Sequence, residues 1–187
     1  MNIENIELDL ITACINRERK AEYELYKRTY GYLMIICRRY ANSKEEAKEI
    51  LNVGFFRILS NLEKYHPEIP FKTWVRKIMI NVLIDEYRKN KKHDENIEYV
   101  EEYFETQSHS ELNAALSKMD MASINNMIVK LPPRSREVFN LFVIDGYSHK
   151  EISEMLGMSV GTTKWHLNFS KTQLKEMIVK LGFAYIK

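Results

Sequence analysis

The sequence predicts an all-α protein, with two small helical domains joined by a flexible acidic linker and a helix-turn-helix in the C-terminal domain. Three observations carry this. Among 187 residues there are only six glycines and four prolines, and the apolar–polar alternation that marks strands is scarce. Apolar residues recur instead at helical spacing, in successive stripes. Charge is unevenly spread: the net +2 conceals seven Lys/Arg over residues 71–92 against Asp85 and Glu86, then eight Asp/Glu over residues 93–120 against Lys118 alone. A basic block beside an acidic one marks separate parts and points to a polyanionic partner.

The elements follow in chain order. Tyr26, Tyr30, Leu33, Met34, Cys37 and Tyr40 make one helical stripe. After a cap at Ser43, a second stripe runs through Ala47, Ile50, Leu51, Gly54, Phe55, Ile58, Leu59 and Leu62. A turn at HPEIP precedes a third stripe, Phe71, Trp74, Val75, Ile78, Met79, Val82 and Leu83, which puts Trp74 in the core. Ile80, Ile84 and Tyr87 lie roughly opposite, so this helix is apolar on two sides and sits centrally or meets a partner, with residues 3–15 available as cover. The first domain is assigned to 1–92, ending at the basic run RKNKK. Residues 93–120 read as the linker, with a reach of at most ~100 Å, and 121–187 as the second domain.

In that second domain Ile124, Met127 and Leu131 lead to Pro132-Pro133. Pro133 suits the first position of a helix whose core side is Val138, Phe139, Leu141 and Phe142, stopped by Gly146. Ser148 and Glu151 form a capping box, Ile152, Met155 and Leu156 supply a buried side, and Gly157 fits the left-handed closing position. Ser159 caps the next helix, on which Val160, Thr163, Leu167, Ser170 and Leu174 share a core face. Two helices joined by a short turn containing Gly make a helix-turn-helix, whose second helix fits a DNA major groove. Gly161, Trp165, Asn168, Phe169 and Thr172 project opposite that core face, with Lys164, Lys171 and Lys175 on one flank. Asn pairs with adenine, an aromatic lies against a thymine methyl, and lysines hold phosphates; Gly161 and Thr162 allow close backbone approach to a phosphate. Packing of Trp165 and Phe169 under the C-terminal tail, at Phe183, Tyr185 and Ile186, is the equal alternative.

No apolar run reaches the ~20 residues of a membrane span, and MNIENIELDL does not read as a secretory signal. Cys14 and Cys37, without a CxxC, suggest neither a disulfide framework nor a zinc site. A cytoplasmic protein without cofactor or metal is expected.

Taken together, the two halves resemble the extracytoplasmic-function (ECF) sigma factors, two-domain promoter-recognition subunits of bacterial RNA polymerase. EEAKEILNVGFFRILSNL resembles the helix that docks on the polymerase clamp, FKTWVRKIMINVLIDEYRK the helix for the −10 element, and LPPRSREVFNLFVIDGYSHKEISEMLGMSVGTTKWHL the −35-reading domain. The resemblance implies polymerase contacts from Glu46, Glu49, Ile50, Asn52, Phe55 and Phe56. It implies −10 contacts from Tyr65, His66, Lys72, Arg76, Lys77, Asn81 and Arg88, the turn at 63–70 receiving a flipped base. It implies −35 contacts from Lys150, Ser159, Gly161, Thr162, Lys164, Trp165, His166, Asn168 and Lys171. Implied partners are core RNA polymerase, promoter DNA (duplex at −35, single-stranded at −10) and an anti-sigma factor, commonly membrane-anchored. The chain departs from the family pattern at Asn52, where Gln is usual, at Trp165, where a small residue is usual, and at Phe169, where a basic one is usual, while Lys171 stands at another usually basic position; the −35 sequence it reads is correspondingly open.

Two rivals explain less. A free-standing helix-turn-helix regulator of duplex DNA leaves the doubly apolar basic helix at 71–92 unexplained. A helical adaptor leaves the capped helix-turn-helix and its lysines unexplained. With no P-loop, nucleophile motif or metal spacing, and five scattered histidines, an enzyme is the least expected class.

Overall fold

The computed structural model describes Ile3 and residues 6–91 and 121–180. The expected linker at 93–120 and the tail residues Phe183, Tyr185 and Ile186 lie outside the described residues. The chain divides into two compact units, Met1–Asn90 and Lys91–Lys187. All regular structure among the described residues is helical.

The N-terminal unit holds α1 (Leu8–Ile15), α2 (Arg19–Tyr40), α3 (Lys44–Leu59), a 3₁₀ turn (Leu62–Lys64) and α4 (Phe71–Lys91). α1 packs on α2 and the 3₁₀ turn, and α2 packs on α3. Ser43 Oγ accepts from Glu46 N at 3.0 Å, while the Glu46 carboxylate accepts from Asn42 N at 2.6 Å, so the start of α3 is capped from both directions. α4 meets both α2 and α3. Cys37 Sγ lies 3.6 Å from Met79 Sδ, Lys72 Nζ sits 5.4 Å above the Tyr32 ring, and Arg57 pairs with Asp85 at 2.7 Å. Gly54 permits the α3–α4 approach: a methyl group there would run into the Met79 thioether. The two apolar sides of α4 are both buried, since Val75, Met79, Val82 and Leu83 are joined inside by Ile80 and Ile84. Trp74 departs from expectation. It is only half-buried, at the edge of a cluster with Phe71 and Tyr65.

The C-terminal unit holds α5 (Met121–Ile128), α6 (Pro133–Phe139), α7 (His149–Leu156) and α8 (Val160–Lys180). Pro133 opens α6 as its first residue. α6 continues into one wide π turn, Asn140–Ile144, closed where Asp145 N donates to Asn140 O at 2.9 Å. α6 and α7 both pack on α8. The core is Met127, Ile128, Leu131, Val138, Phe139, Leu141, Ile152, Leu156, Leu167, Leu174 and Ile178. Arg136, also buried, donates to Val129 O at 3.0 Å and ties α6 to the end of α5.

Candidate nucleic-acid interface

The turn between α7 and α8 is fixed by side chains as well as backbone. Ser148 N donates to the Glu151 carboxylate at 2.7 Å and Ser148 Oγ accepts from Glu151 N at 3.3 Å, completing the capping box. Gly157, at φ 62°, closes α7 in the left-handed region. Ser153 Oγ donates to Met158 O at 2.6 Å, and Ser159 Oγ accepts from Thr162 N at 3.0 Å to cap α8. The His149 ring stacks on Phe142 at 4.4 Å and lies 3.1 Å from Thr163 Oγ1, joining the π turn and both helices of the motif. Burial, then the charges of Lys164 and Lys171, push the His149 pKa down.

α8 presents a buried and an outward side. Thr163, His166, Leu167, Ser170, Leu174 and Ile178 are buried, which corrects the placing of His166 among the −35 contacts. His166 is 1% exposed and its Nδ1 lies 2.9 Å from Ser135 Oγ. It comes three residues after Thr163 and four before Ser170, on the core face. Burial, with a smaller contribution from Arg134, lowers its pKa to about 4. Val160, expected in the core, is exposed; it is the first residue of α8, directly after the Ser159 cap. Outward lie Gly161, Lys164 and Thr172, exposed, and Thr162, Trp165, Asn168, Phe169 and Lys171, half-buried. The Trp165 and Phe169 rings are nearly parallel, 12° apart with centroids at 5.2 Å, and the Trp165 and His166 rings are near-perpendicular at 5.0 Å. Lys150 is exposed on α7; Ser159 is exposed too, with its hydroxyl engaged in the cap.

In the N-terminal unit the second candidate surface centres on the turn before α4. Tyr65 Oη donates to Ile69 O at 2.8 Å, and its ring packs on Phe71 at 5.2 Å and Trp74 at 5.3 Å. Tyr65, expected to contact DNA, therefore has its hydroxyl and ring committed to shaping the turn, because its donor is within reach of the Ile69 carbonyl. His66, Pro67, Glu68, Ile69 and Pro70 stand exposed. Along α4, Trp74, Lys77, Asn81 and Arg88 fall on one side by helical spacing, the last three exposed. Lys72 and Arg76 do not join them: both are half-buried on another flank, Lys72 over Tyr32.

α3 separates its expected contacts equally sharply. Glu49, Asn52 and Phe56 lie on one exposed stripe, with Phe56 70% exposed. Ile50 (7%) and Phe55 (8%) face the core, which corrects their expected role as surface contacts: both fall on the stripe shared with Leu51, Gly54 and Ile58. Phe55 meets Tyr26 edge-to-face at 4.9 Å. Glu46 is half-buried and engaged in the cap. Asn52 Oδ1 accepts from Tyr26 Oη at 3.3 Å. Next to these surfaces the sequence reasoning missed Val53, beside Phe56, and Ile69, at the turn tip, both exposed. The available signal was an apolar residue on the polar side of its own element.

Two helical units, one bearing a capped helix-turn-helix and the other an exposed aromatic–basic helix, define a DNA-reading transcription factor of bipartite type. Comparison with known proteins makes this specific. Residues 25–93 match the family model "Sigma-70 region 2" and residues 121–174 match "Sigma-70, region 4". The chain belongs to the sigma-70 family and, within it, to the ECF RNA polymerase sigma factors, which direct transcription initiation at promoters. It is 29% identical over 151 residues to the ECF RNA polymerase sigma factor SigW of Bacillus subtilis (strain 168), covering 76% of this chain and 81% of that one. It is 29% identical over 137 residues to the RNA polymerase sigma factor SigZ of the same organism, covering 73% and 75%. Among solved structures, CnrH in complex with the cytosolic domain of CnrY matches with a TM-score of 0.46 and 20% identity, over 92% of this chain and 96% of that one. No helix among the described residues is long and apolar enough to cross a membrane.

Proposed function

We propose that this sigma factor docks on core RNA polymerase through the exposed α3 stripe of Glu49, Asn52 and Phe56. It then reads promoters with two surfaces, one on each unit. The 65–70 turn, with Lys77, Asn81 and Arg88 along the same side of α4, takes the melted −10 strand: His66 and Asn81 lie against unstacked bases, and the cations hold phosphates. Tyr65 acts behind them by holding the turn closed, and Lys72 and Arg76 contribute charge only at longer range, from the far side of α4. On the C-terminal unit the outward side of α8, Gly161, Thr162, Lys164, Trp165, Asn168 and Lys171, enters the duplex major groove at −35, with Lys150 and Ser159 at its rim.

The observation that carries this reading is the exposed Phe56 beside the buried Phe55. A large apolar ring held out in water on a polar stripe is an anchor for a protein partner, and that accounts for a subunit better than for a free-standing regulator. Two weak binders gain from effective concentration once the polymerase fixes their spacing. The protein does no chemistry itself, acts in the cytoplasm where the polymerase is, and is held in check by an anti-sigma factor that covers these surfaces.

The test is transcription by purified core polymerase, with and without the protein, on a promoter library. Protein-dependent transcripts are expected. Their absence, together with tight specific duplex binding by the protein alone, would overturn the subunit reading in favour of the free-standing regulator.

A further inference from the structure

The outward side of α8 is laterally divided. On one flank stand Lys164, Lys171 and Lys175; along the middle run Gly161, Asn168 and Thr172; on the other flank are Trp165 and Phe169. Three features bear on what the aromatic flank can recognise. The two rings stack at 5.2 Å and 12°, so they present one joint apolar edge rather than two mobile side chains. The indole stands roughly perpendicular to the neighbouring His166 ring at 5.0 Å, and His166 is itself buried and held at 2.9 Å from Ser135 Oγ. The shelf thus stands on a turn of α8 tied to α6 and loses little conformational freedom on binding. Finally, neither ring has an acceptor for a base amino group, and only the indole N–H donates; their complement in a major groove is the apolar group of a base pair, the C5-methyl of thymine.

Charge fixes the orientation. With the lysine row against one phosphate backbone, the aromatic flank faces the base edges toward the other strand. The two ring centroids lie 5.2 Å apart, between one and two base steps at about 3.4 Å each. A two-ring shelf therefore spans neighbouring base pairs rather than one.

Resting on the reading of α8 as the −35 helix, we propose that Trp165 and Phe169 form a rigid aromatic shelf that reads thymine methyl groups on one strand of the −35 duplex. Neighbouring A·T pairs become the specificity determinants of this sigma factor. Asn168, at the centre of the face, is placed to pair with an adenine beside them.

The experiment uses the full chain with core polymerase on templates randomised across the −35 hexamer. Active templates are expected to carry thymines at two neighbouring positions of one strand. Replacing each by deoxyuridine removes the methyl and leaves the base pairing intact. Initiation should then fall about four-fold per methyl, the factor carried by burying one methyl-sized group. In Trp165→Ala or Phe169→Ala the thymine preference should relax and the response to deoxyuridine disappear. Active hexamers without thymine, or full activity with deoxyuridine, would overturn the shelf; this arm uses the unaltered protein and does not depend on how a variant folds. Transcripts that depend on the protein but not on the hexamer would instead sink the −35 reading of α8, and the shelf with it. The two failures are distinct, because in the first the hexamer still matters.

Discussion

Phe55 and Phe56 are neighbours in sequence and opposites in structure, so truncating each should damage a different property. Phe55 is 8% exposed and packs edge-to-face on Tyr26 at 4.9 Å. Phe55→Ala removes a buried ring and leaves a cavity, at a cost of about 3–5 kcal/mol. In a unit of this size each kcal/mol moves the midpoint by about 4–8 °C, so a fall of at least ~12 °C is expected. Phe56 is 70% exposed, and Phe56→Ala should leave stability within about 0.5 kcal/mol of the parent. If Phe56 anchors the polymerase contact, its loss costs about 2 kcal/mol of binding, or about 30-fold in affinity. The assay pairs thermal unfolding of the full chain with competition for core polymerase at a temperature where both variants are folded. Parental affinity in Phe56→Ala would refute the docking stripe, and parental stability in Phe55→Ala would refute the packing of α3.

Three further expectations follow. Tyr65→Phe keeps the ring and deletes only the 2.8 Å bond to Ile69 O; stability should fall by about 1 kcal/mol and promoter melting, read by permanganate reactivity, several-fold, with −35 binding unchanged. Gly157→Ala, at φ 62°, should cost about 1–2 kcal/mol, and Ser148→Ala about 1 kcal/mol through the lost cap, both read by denaturation of the full chain. The pH dependence of the C-terminal unit sets Glu137 against the histidines, since His149, pushed down by burial and by Lys164 and Lys171, acts in the same direction as His166 below about 6.5. Burial raises the Glu137 pKa to about 8, against the lowering effect of Arg136 and Arg134. Its Oε2 is buried with no hydrogen-bond partner among the described residues. The native state keeps a proton that the unfolded chain releases, so this contribution is full at low pH and is lost as pH rises from about 4.5 to 8. His166, lowered to about 4, refuses a proton that the unfolded chain accepts, so its contribution is full above about 6.5 and is lost as pH falls toward 4. Between about 4.5 and 6.5 they oppose one another. From about 6.5 to 8 Glu137 acts alone, and stability should fall by up to about 1.4 kcal/mol per pH unit. Amide exchange across α6–α8 measures this, and Glu137→Gln should flatten it.

Local rules were readable wherever one residue decides one backbone state. The Ser148–Glu151 box, Pro133 at the head of α6 and Gly157 in the left-handed region all stand where the sequence put them, because a cap or turn draws on atoms within a few residues. Helical stripes were equally readable, since period alone separates the faces. Errors came where two segments compete for one residue. Trp74 has core spacing, yet Tyr65 and the turn hold it at an edge. His166 has core-face spacing but a polar ring, and only Ser135, thirty-one positions away, supplies the partner that keeps it inside.

By itself, then, the sequence determined an all-helical chain, the helix-turn-helix with its caps, and the family to which its motifs belong. Each follows from period, local hydrogen bonding and the order of short motifs. Only the tertiary structure decided which outward residues are left for a partner: Phe56 held 70% exposed on its stripe, Lys77, Asn81 and Arg88 exposed without Lys72 and Arg76, and Trp165 stacked on Phe169 beside a buried His166. Burial is a property of neighbours distant in sequence. A residue's type fixes what a contact would be worth, but the packing of other helices fixes whether that residue is still exposed to make it.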